Sequence, residues 1–381
     1  MNFLSVFELL CGIGLVGLVM HDVFQSVVLP RWTSRRFRFA PLFLDWMWRL
    51  WRRIGDRKTD VETREDFFGA FAPLALMGTL VLWTALMIIG YGICFWALRG
   101  QEKPPPAHFF EALYIAGETM LTIGYGEFVP IGGAARVVAI GAGASGLALF
   151  ALVISFLFTL YGTFERREVL VLTLDARAGS PPSGVSLLQS YAELDALDAL
   201  PQFFAEWETW SAEVLQSHIA YPILPFFRSS HEGESWVAAL GAVLDAATLL
   251  ITTVHPDERI GGRQLGAAHI MVRIGCHTVI DLSHWFGFRF DEAPDQHPGV
   301  ERGEFLAARR RLAKSGFQLA EEEASWREFS ALRAKYAASL NELAKLLAAP
   351  PTQWIGDRSM LAFSNHRAPK KSREKADSRA T

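Results

Sequence analysis

The chain reads as an all-α membrane protein: three transmembrane helices plus one re-entrant helix, followed by an all-helical domain outside the bilayer. Three features point there. Apolar runs at residues 3–29, 67–98 and 134–164 are each long enough to cross about 30 Å of hydrocarbon as a helix. Between the second and third lies a short polar stretch punctuated by glycines, residues 118–127. Beyond residue 184, apolar residues recur at helical period in blocks separated by breakers.

Composition agrees with a membrane part joined to a soluble part. The 381 residues leave room for two or three domains. A hydrophobic content of 51% is high for a soluble protein, and 20% charged residues is too many for one embedded wholly in lipid. The net charge of −3 hides a strong segregation and identifies no partner. There are three cysteines, of which Cys11 and Cys94 lie in apolar runs, so no disulfide framework is expected. Glycine-rich nucleotide loops and metal-type cysteine pairs are missing from the sequence.

Residues 1–30 form the first span, broken only by Glu8 near its start and His21-Asp22 towards its end. A secretory signal would open on basic residues and close on a small-residue cleavage site; neither is seen, so the helix is expected to be retained. Ionisable groups at membrane depth are functional suspects, and His21 and Asp22 are read as reaching headgroup water or a neighbouring arginine. Residues 31–66 carry Arg31, Arg35, Arg36, Arg38, Arg49, Arg52, Arg53, Arg57 and Lys58, interleaved with Trp32, Trp46, Trp48 and Trp51. Positive charge marks the cytoplasmic side and tryptophan the membrane interface, which puts the N-terminus outside and the C-terminus inside. The mixture is assigned to the lipid bilayer, not to nucleic acid.

Residues 67–164 make the next unit. An outer helix over 67–98 leads to a stiff connection at 99–107, stiffened by Pro104-Pro105-Pro106. Residues 108–121 re-enter as a short helix, Ile131-Gly132-Gly133 turns the chain, and an inner helix over 134–164 leaves the membrane at Glu165-Arg166-Arg167-Glu168. Leu170, Leu172 and Leu174 alternate, which fits a helical continuation or a short strand equally. A linker at 178–184 precedes helical blocks at 185–198, 201–219, 234–254, 262–286, 301–314 and 320–348, together a domain over 165–365. Residues 366–381, rich in Lys, Arg and Ser, lack apolar periodicity and read as a disordered tail.

The stretch Thr122-Ile123-Gly124-Tyr125-Gly126 needs a reason to sit at membrane depth. Irregular backbone is tolerated there only where it is buried in protein or lines a water-filled path. Two glycines flanking Tyr125 let alternate residues take left-handed angles. Successive carbonyls then point one way, and a ring of them from several chains replaces the hydration shell of a cation. On these residues the segment resembles the potassium-channel pore family, whose filter reads T-V-G-Y-G. The resemblance covers residues 70–163. Ala112-Leu113-Tyr114 through Glu118-Thr119 is similar to the family's pore helix with its glutamate, and Pro130 and Arg136 follow at the family's spacing.

The resemblance implies K+ held at Thr122, Ile123, Gly124 and Tyr125, with Gly126 completing the filter. It implies that Glu118 and Glu127 share a proton behind the filter, although Glu127 stands where Asp is commoner; two independently solvated carboxylates are the rival reading. Gly146, with Gly143, falls where an inner-helix hinge is expected; close helix packing is the rival reading. Phe158 is a candidate inner constriction. One filter per chain implies a homotetramer, a permeant K+ with no cofactor, and no enzymatic step. A membrane-anchored sensor or scaffold with a closed pore, and a weakly selective cation channel, are the alternatives. Regularly spaced membrane arginines and a dinucleotide fingerprint are both missing, so the gating stimulus and any cytoplasmic ligand stay unassigned. In the helical domain His269, Cys276, His277 and His284 fall near one helix face. Their neighbours Met271 and Val279 favour an ordinary core helix over a metal or proton sensor.

Overall fold

The structure, a computed structural model, describes residues 2–27, 39–58, 60–229, 235–288 and 298–355. Trp32 with Arg31, Arg35, Arg36 and Arg38, and the tail over 366–381, lie outside the described residues. The protein is an all-α membrane protein that divides into two compact units, Met1–Phe164 with Ala220–Phe227, and Glu165–Ile219 with Arg228–Thr381.

In the first unit α1 (Phe3–Val27) lies antiparallel to α4 (Phe71–Ala97). Their backbones touch: a Cβ on Gly12 would stand 2.7 Å from the Gly90 carbonyl oxygen, the close approach that small residues permit between membrane helices. Arg99 reaches Glu8 at 3.7 Å near one end of the pair. Towards the other, Trp83 Nε1 donates to Asp22 Oδ2 at 2.8 Å. Asp22 also accepts from the backbone N–H of Ala40 at 3.0 Å, in the first turn of α2 (Phe39–Gly55). That corrects the expected contact with headgroup water, because Asp22 is fully buried. The first turn of a helix leaves N–H groups without intrahelical acceptors, and a carboxylate brought there satisfies one of them.

The expected single outer helix is two, α3 (Val61–Gly69) and α4, meeting at Ala70. Pro73, in the first turn of α4, has no N–H with which to continue the ladder. The re-entrant helix is α5 (Phe109–Met120), and α6 (Gly133–Ala178) is the inner helix. Trp83, Met87, Tyr91 and Phe95 of α4, Ala112, Ile115 and Met120 of α5, and Ala142 and Leu149 of α6 share one core with Val19 and Val23 of α1. Two short strands, β1 (Glu102–Lys103) and β2 (Val129–Pro130), pair antiparallel with Glu102 opposite Pro130.

Two boundaries differ from the expected ones. The helix α6 runs on for 46 residues, so Leu170, Leu172 and Leu174 are helical and no strand forms there. Nothing breaks the ladder before Gly179, whose φ of +80° ends it ahead of Pro181-Pro182. Residues 220–227, read as part of the helical domain, belong to the first unit. Aromatic rings hold them there: Phe226 against Trp48 and Phe71 at 4.9 and 5.4 Å, Tyr221 against Phe156 at 5.7 Å, and Phe227 against Phe164 and Tyr161 at 5.3 and 5.8 Å.

The second unit is built on α9 (Trp236–Thr253), in which every residue but Ile251 is buried. It is long and apolar enough to cross a membrane, but α7 (Gly184–Glu193), α10 (Gly262–Trp285) and α12 (Glu322–Leu346) cover it. Also in this unit are most of α8 (Leu200–Ala220) and all of α11 (Arg302–Lys314). Within this core Arg333 Nε meets Asp245 Oδ1 at 2.8 Å, Tyr336 donates to the same oxygen at 2.7 Å, and Arg333 Nη2 donates to the Trp354 carbonyl at 2.8 Å. A buried ion pair persists only when its remaining hydrogen-bonding groups are satisfied in this way.

Candidate functional site

The loop after α5 starts from the helix's own last carbonyls. The N–H of Ile123 bonds the Glu118 carbonyl at 2.9 Å, and that of Thr122 bonds the Thr119 carbonyl at 3.2 Å. From there the backbone alternates: φ is +54° at Thr122, +71° at Gly124 and +77° at Gly126. Glycine takes such angles freely. For a β-branched threonine they cost about 1–3 kcal/mol, a strain that persists only where surroundings over-determine it. Each of residues 122–127 is exposed in the single chain, with Tyr125 at 72%.

A carboxylate closes the loop from behind. Glu118, only 7% exposed, accepts from the Gly126 N–H at 2.8 Å, spanning the loop from its helix to its end. Glu127 lies beside the Tyr114 hydroxyl, close enough for its charge to act on it, and the Tyr114 ring lies against Phe128 at 6.4 Å. The residue brought to Glu118 is therefore a backbone amide, and the one brought to Glu127 is a tyrosine. Tyr114 was not singled out from sequence, though its position one turn before Glu118 on the same helix face is a signal that places it there.

Gly146 touches the same C-terminal end of α5. A Cβ there would stand 1.9 Å from the Met120 carbonyl oxygen, whereas one on Gly143 would stand 3.7 Å from that of Thr119. The first is a forced close approach and the second is ordinary contact. Beside them Tyr91 and Ser145 share a hydrogen bond at 2.7 Å, tying α4 to α6. Along α6 the exposed apolar side chains Val137, Ile140, Leu147, Phe150, Ile154, Phe158 and Tyr161 form one stripe, with Phe158 at 77%.

On the far side of the loop Glu102 is 2% exposed, and neither carboxyl oxygen has a hydrogen-bond partner among the described residues. Burial pushes its carboxyl up to about 7. No pattern in the sequence distinguishes it from the neighbouring Lys103, which is exposed. In α10, His269, His277 and His284 are exposed, and His277 pairs with Asp281 at 3.5 Å. Among the described residues no cluster of three or more His, Cys, Asp or Glu is placed to hold a metal.

Residues 79–162 match the family model described as "Ion channel", a segment that takes in most of α4, all of α5, the loop and α6 as far as Gly162. The chain is also similar to the uncharacterized membrane protein YdjJ of Bacillus subtilis (strain 168), 24% identical over 217 residues. That alignment covers 56% of this chain and 61% of the relative, so the chain spans less than two thirds of the relative's length. No solved structure matches. The protein is thus a membrane protein with a segment, residues 79–162, that is similar to an ion-channel family.

Proposed function

We propose that the protein is a potassium-selective channel, a homotetramer in the plasma membrane that conducts K+ passively, with the C-terminal domain modulating its gate. The observation that carries this is the alternation of left-handed angles at Thr122, Gly124 and Gly126, which turns successive carbonyls to one side. Carbonyl oxygens so aligned replace the water shell of a dehydrated cation, and four copies around an axis complete the cage. The exposed stripe on α6 supports assembly, since membrane helices associate by packing such surfaces. The C-terminal end of α5 adds its dipole to favour a cation in the cavity below. The N-terminus is placed outside and the C-terminus in the cytoplasm on the charge of residues 49–58. Permeation involves no covalent step.

The test is potassium flux into liposomes carrying the purified full-length protein. Flux selective for K+ over Na+, blocked by barium and lost in Gly124→Ala, is expected; equal K+ and Na+ flux, or full flux in Gly124→Ala, overturns the selective-filter reading.

A further inference from the structure

The helix α2 carries two parallel rows. Leu42, Trp46, Leu50 and Ile54 recur every fourth residue and are all exposed. Arg49, Arg53 and Arg57 recur at the same interval one position earlier, and they too are exposed. Successive helical residues are turned by about 100°, so Arg49 and Arg53 run alongside the apolar stripe and Arg57 extends their row just past the helix end.

The opposite face is firmly held. Trp48 is buried, with its ring 4.7 Å from Phe71 and 5.7 Å from Phe68. Trp51 stacks on Phe67 at 4.4 Å and donates from Nε1 to the Phe67 carbonyl at 2.9 Å. The exposed rows are therefore presented by a fixed helix. Among the described residues the nearby acids make no ion pair with these arginines: Asp56 is shared between Arg52 at 3.6 Å and Arg64 at 3.3 Å, and Arg49 reaches the backbone carbonyl of Asp45. Among the described residues the side chains of Arg53 and Arg57 have no ion-pair partner.

We propose that α2 is a recognition surface for the headgroups of anionic phospholipids, with Leu42, Trp46, Leu50 and Ile54 sunk at the acyl boundary and Arg49, Arg53 and Arg57 on the phosphates. A helix with an apolar stripe and a basic flank lies in the interface plane and prefers anionic lipid. A soluble polyanion matches the rail but leaves the exposed tryptophan and leucines in water, so the lipid is the occupant that satisfies both rows. The same helix has a path to the inner helix. Trp48 packs on Phe226, and the adjacent Phe227 packs on Tyr161 and Phe164 of α6. Headgroup binding on α2 therefore biases α6, a consequence that rests on the pore reading above.

The full-length protein tests the two parts separately, in nanodiscs for lipid contact and in liposomes for flux. Quenching by brominated phosphatidylglycerol or phosphatidylcholine is read at Trp46 as the difference between wild type and Trp46→Phe. A preference for phosphatidylglycerol is expected, falling about fivefold with each of Arg49→Gln and Arg53→Gln, restored by lysine at either position, and weakened by salt. Equal quenching by the two lipids, an unchanged preference in Arg49→Gln/Arg53→Gln, or displacement by soluble glycerol phosphate overturns the lipid surface. The link to α6 predicts that potassium flux depends on phosphatidylglycerol in wild type, and that Trp48→Leu keeps the quenching preference while losing that dependence. Flux indifferent to phosphatidylglycerol in wild type sinks the link alone. Absence of flux in every lipid counts against the pore reading and leaves the quenching result standing.

Discussion

In the first unit the backbone of residues 122–126 lies open at the surface of the chain, its angles alternating and one amide pinned to Glu118. In the second, Asp245, Arg333 and Tyr336 are sealed in a core and hold one another. Both places concentrate polar atoms where water is scarce. The difference lies in whether the partners are internal. A core network binds its groups within one chain and serves stability, whereas residues 122–127 are exposed in the single chain and, on the channel reading proposed above, would offer their carbonyls to an ion.

Substitutions in each place separate these two roles. The largest expected effect is the loss of flux in Gly124→Ala, where a β-carbon enters a backbone at φ +71°; near-ultraviolet circular dichroism of the full chain should stay unchanged. Arg333→Met should reverse that pattern, lowering the unfolding free energy by about 3–5 kcal/mol because it leaves Asp245 buried without its cation. Urea unfolding of the full-length protein measures this, and Asp245→Asn added to Arg333→Met should regain most of the loss. No recovery would mean the pair acts through something other than its charge. Gly146→Ala is expected to cost about 1–3 kcal/mol by overpacking against the Met120 carbonyl, with Gly143→Ala nearly silent. A gating change in Gly146→Ala at unaltered stability would favour the hinge.

The smallest effects are in pH, and they have opposite signs. Glu102 is raised to about 7 by burial, so its native state holds a proton that the unfolded chain has lost; the stability it contributes is present below the unfolded value of about 4.5 and lost as pH rises through 7. His218 is buried against Arg167, with Nε2 at 3.2 Å from Nη1, and its value is lowered by burial first and that cation second. Its native state stays neutral, so its contribution is present above the ordinary value of 6.5 and lost as pH falls below it. Unfolding midpoints should lose the fall with rising pH between about 4.5 and 7 in Glu102→Gln and the fall with dropping pH below 6.5 in His218→Gln. A fall between about 4.5 and 7 that is unchanged in Glu102→Gln assigns it to another group.

Helices were legible because their breakers are local. Gly179 with Pro181-Pro182 and the Ser183 cap bound α6 and α7 by chemistry a few residues long. The alternating backbone of residues 122–126 was legible for the same reason, since Gly124 and Gly126 write it locally. What could not be read depends on distant partners. Asp22 looks like a marginal membrane carboxylate until Trp83 and Ala40 arrive. Residues 220–227 share the apolar character of their flanks, and only Trp48, Phe71 and the α6 aromatics assign them to the first unit. Gly146 reads from sequence as a hinge, because the Met120 carbonyl it faces closely is a neighbour in space alone. The split of the outer helix was an available signal that Pro73 carried.

The openness of residues 122–126 bears on how the protein comes into being. In hydrocarbon each amide without a partner costs several kcal/mol, and on the tetramer proposed above the exposed apolar stripe along α6 would be covered by other copies. A solitary copy newly delivered to a bilayer would then be unfinished, its loop held in shape by Glu118 alone. Its completion would be a matter of encounter with its own kind, and the density of copies in the membrane would set how long it waits.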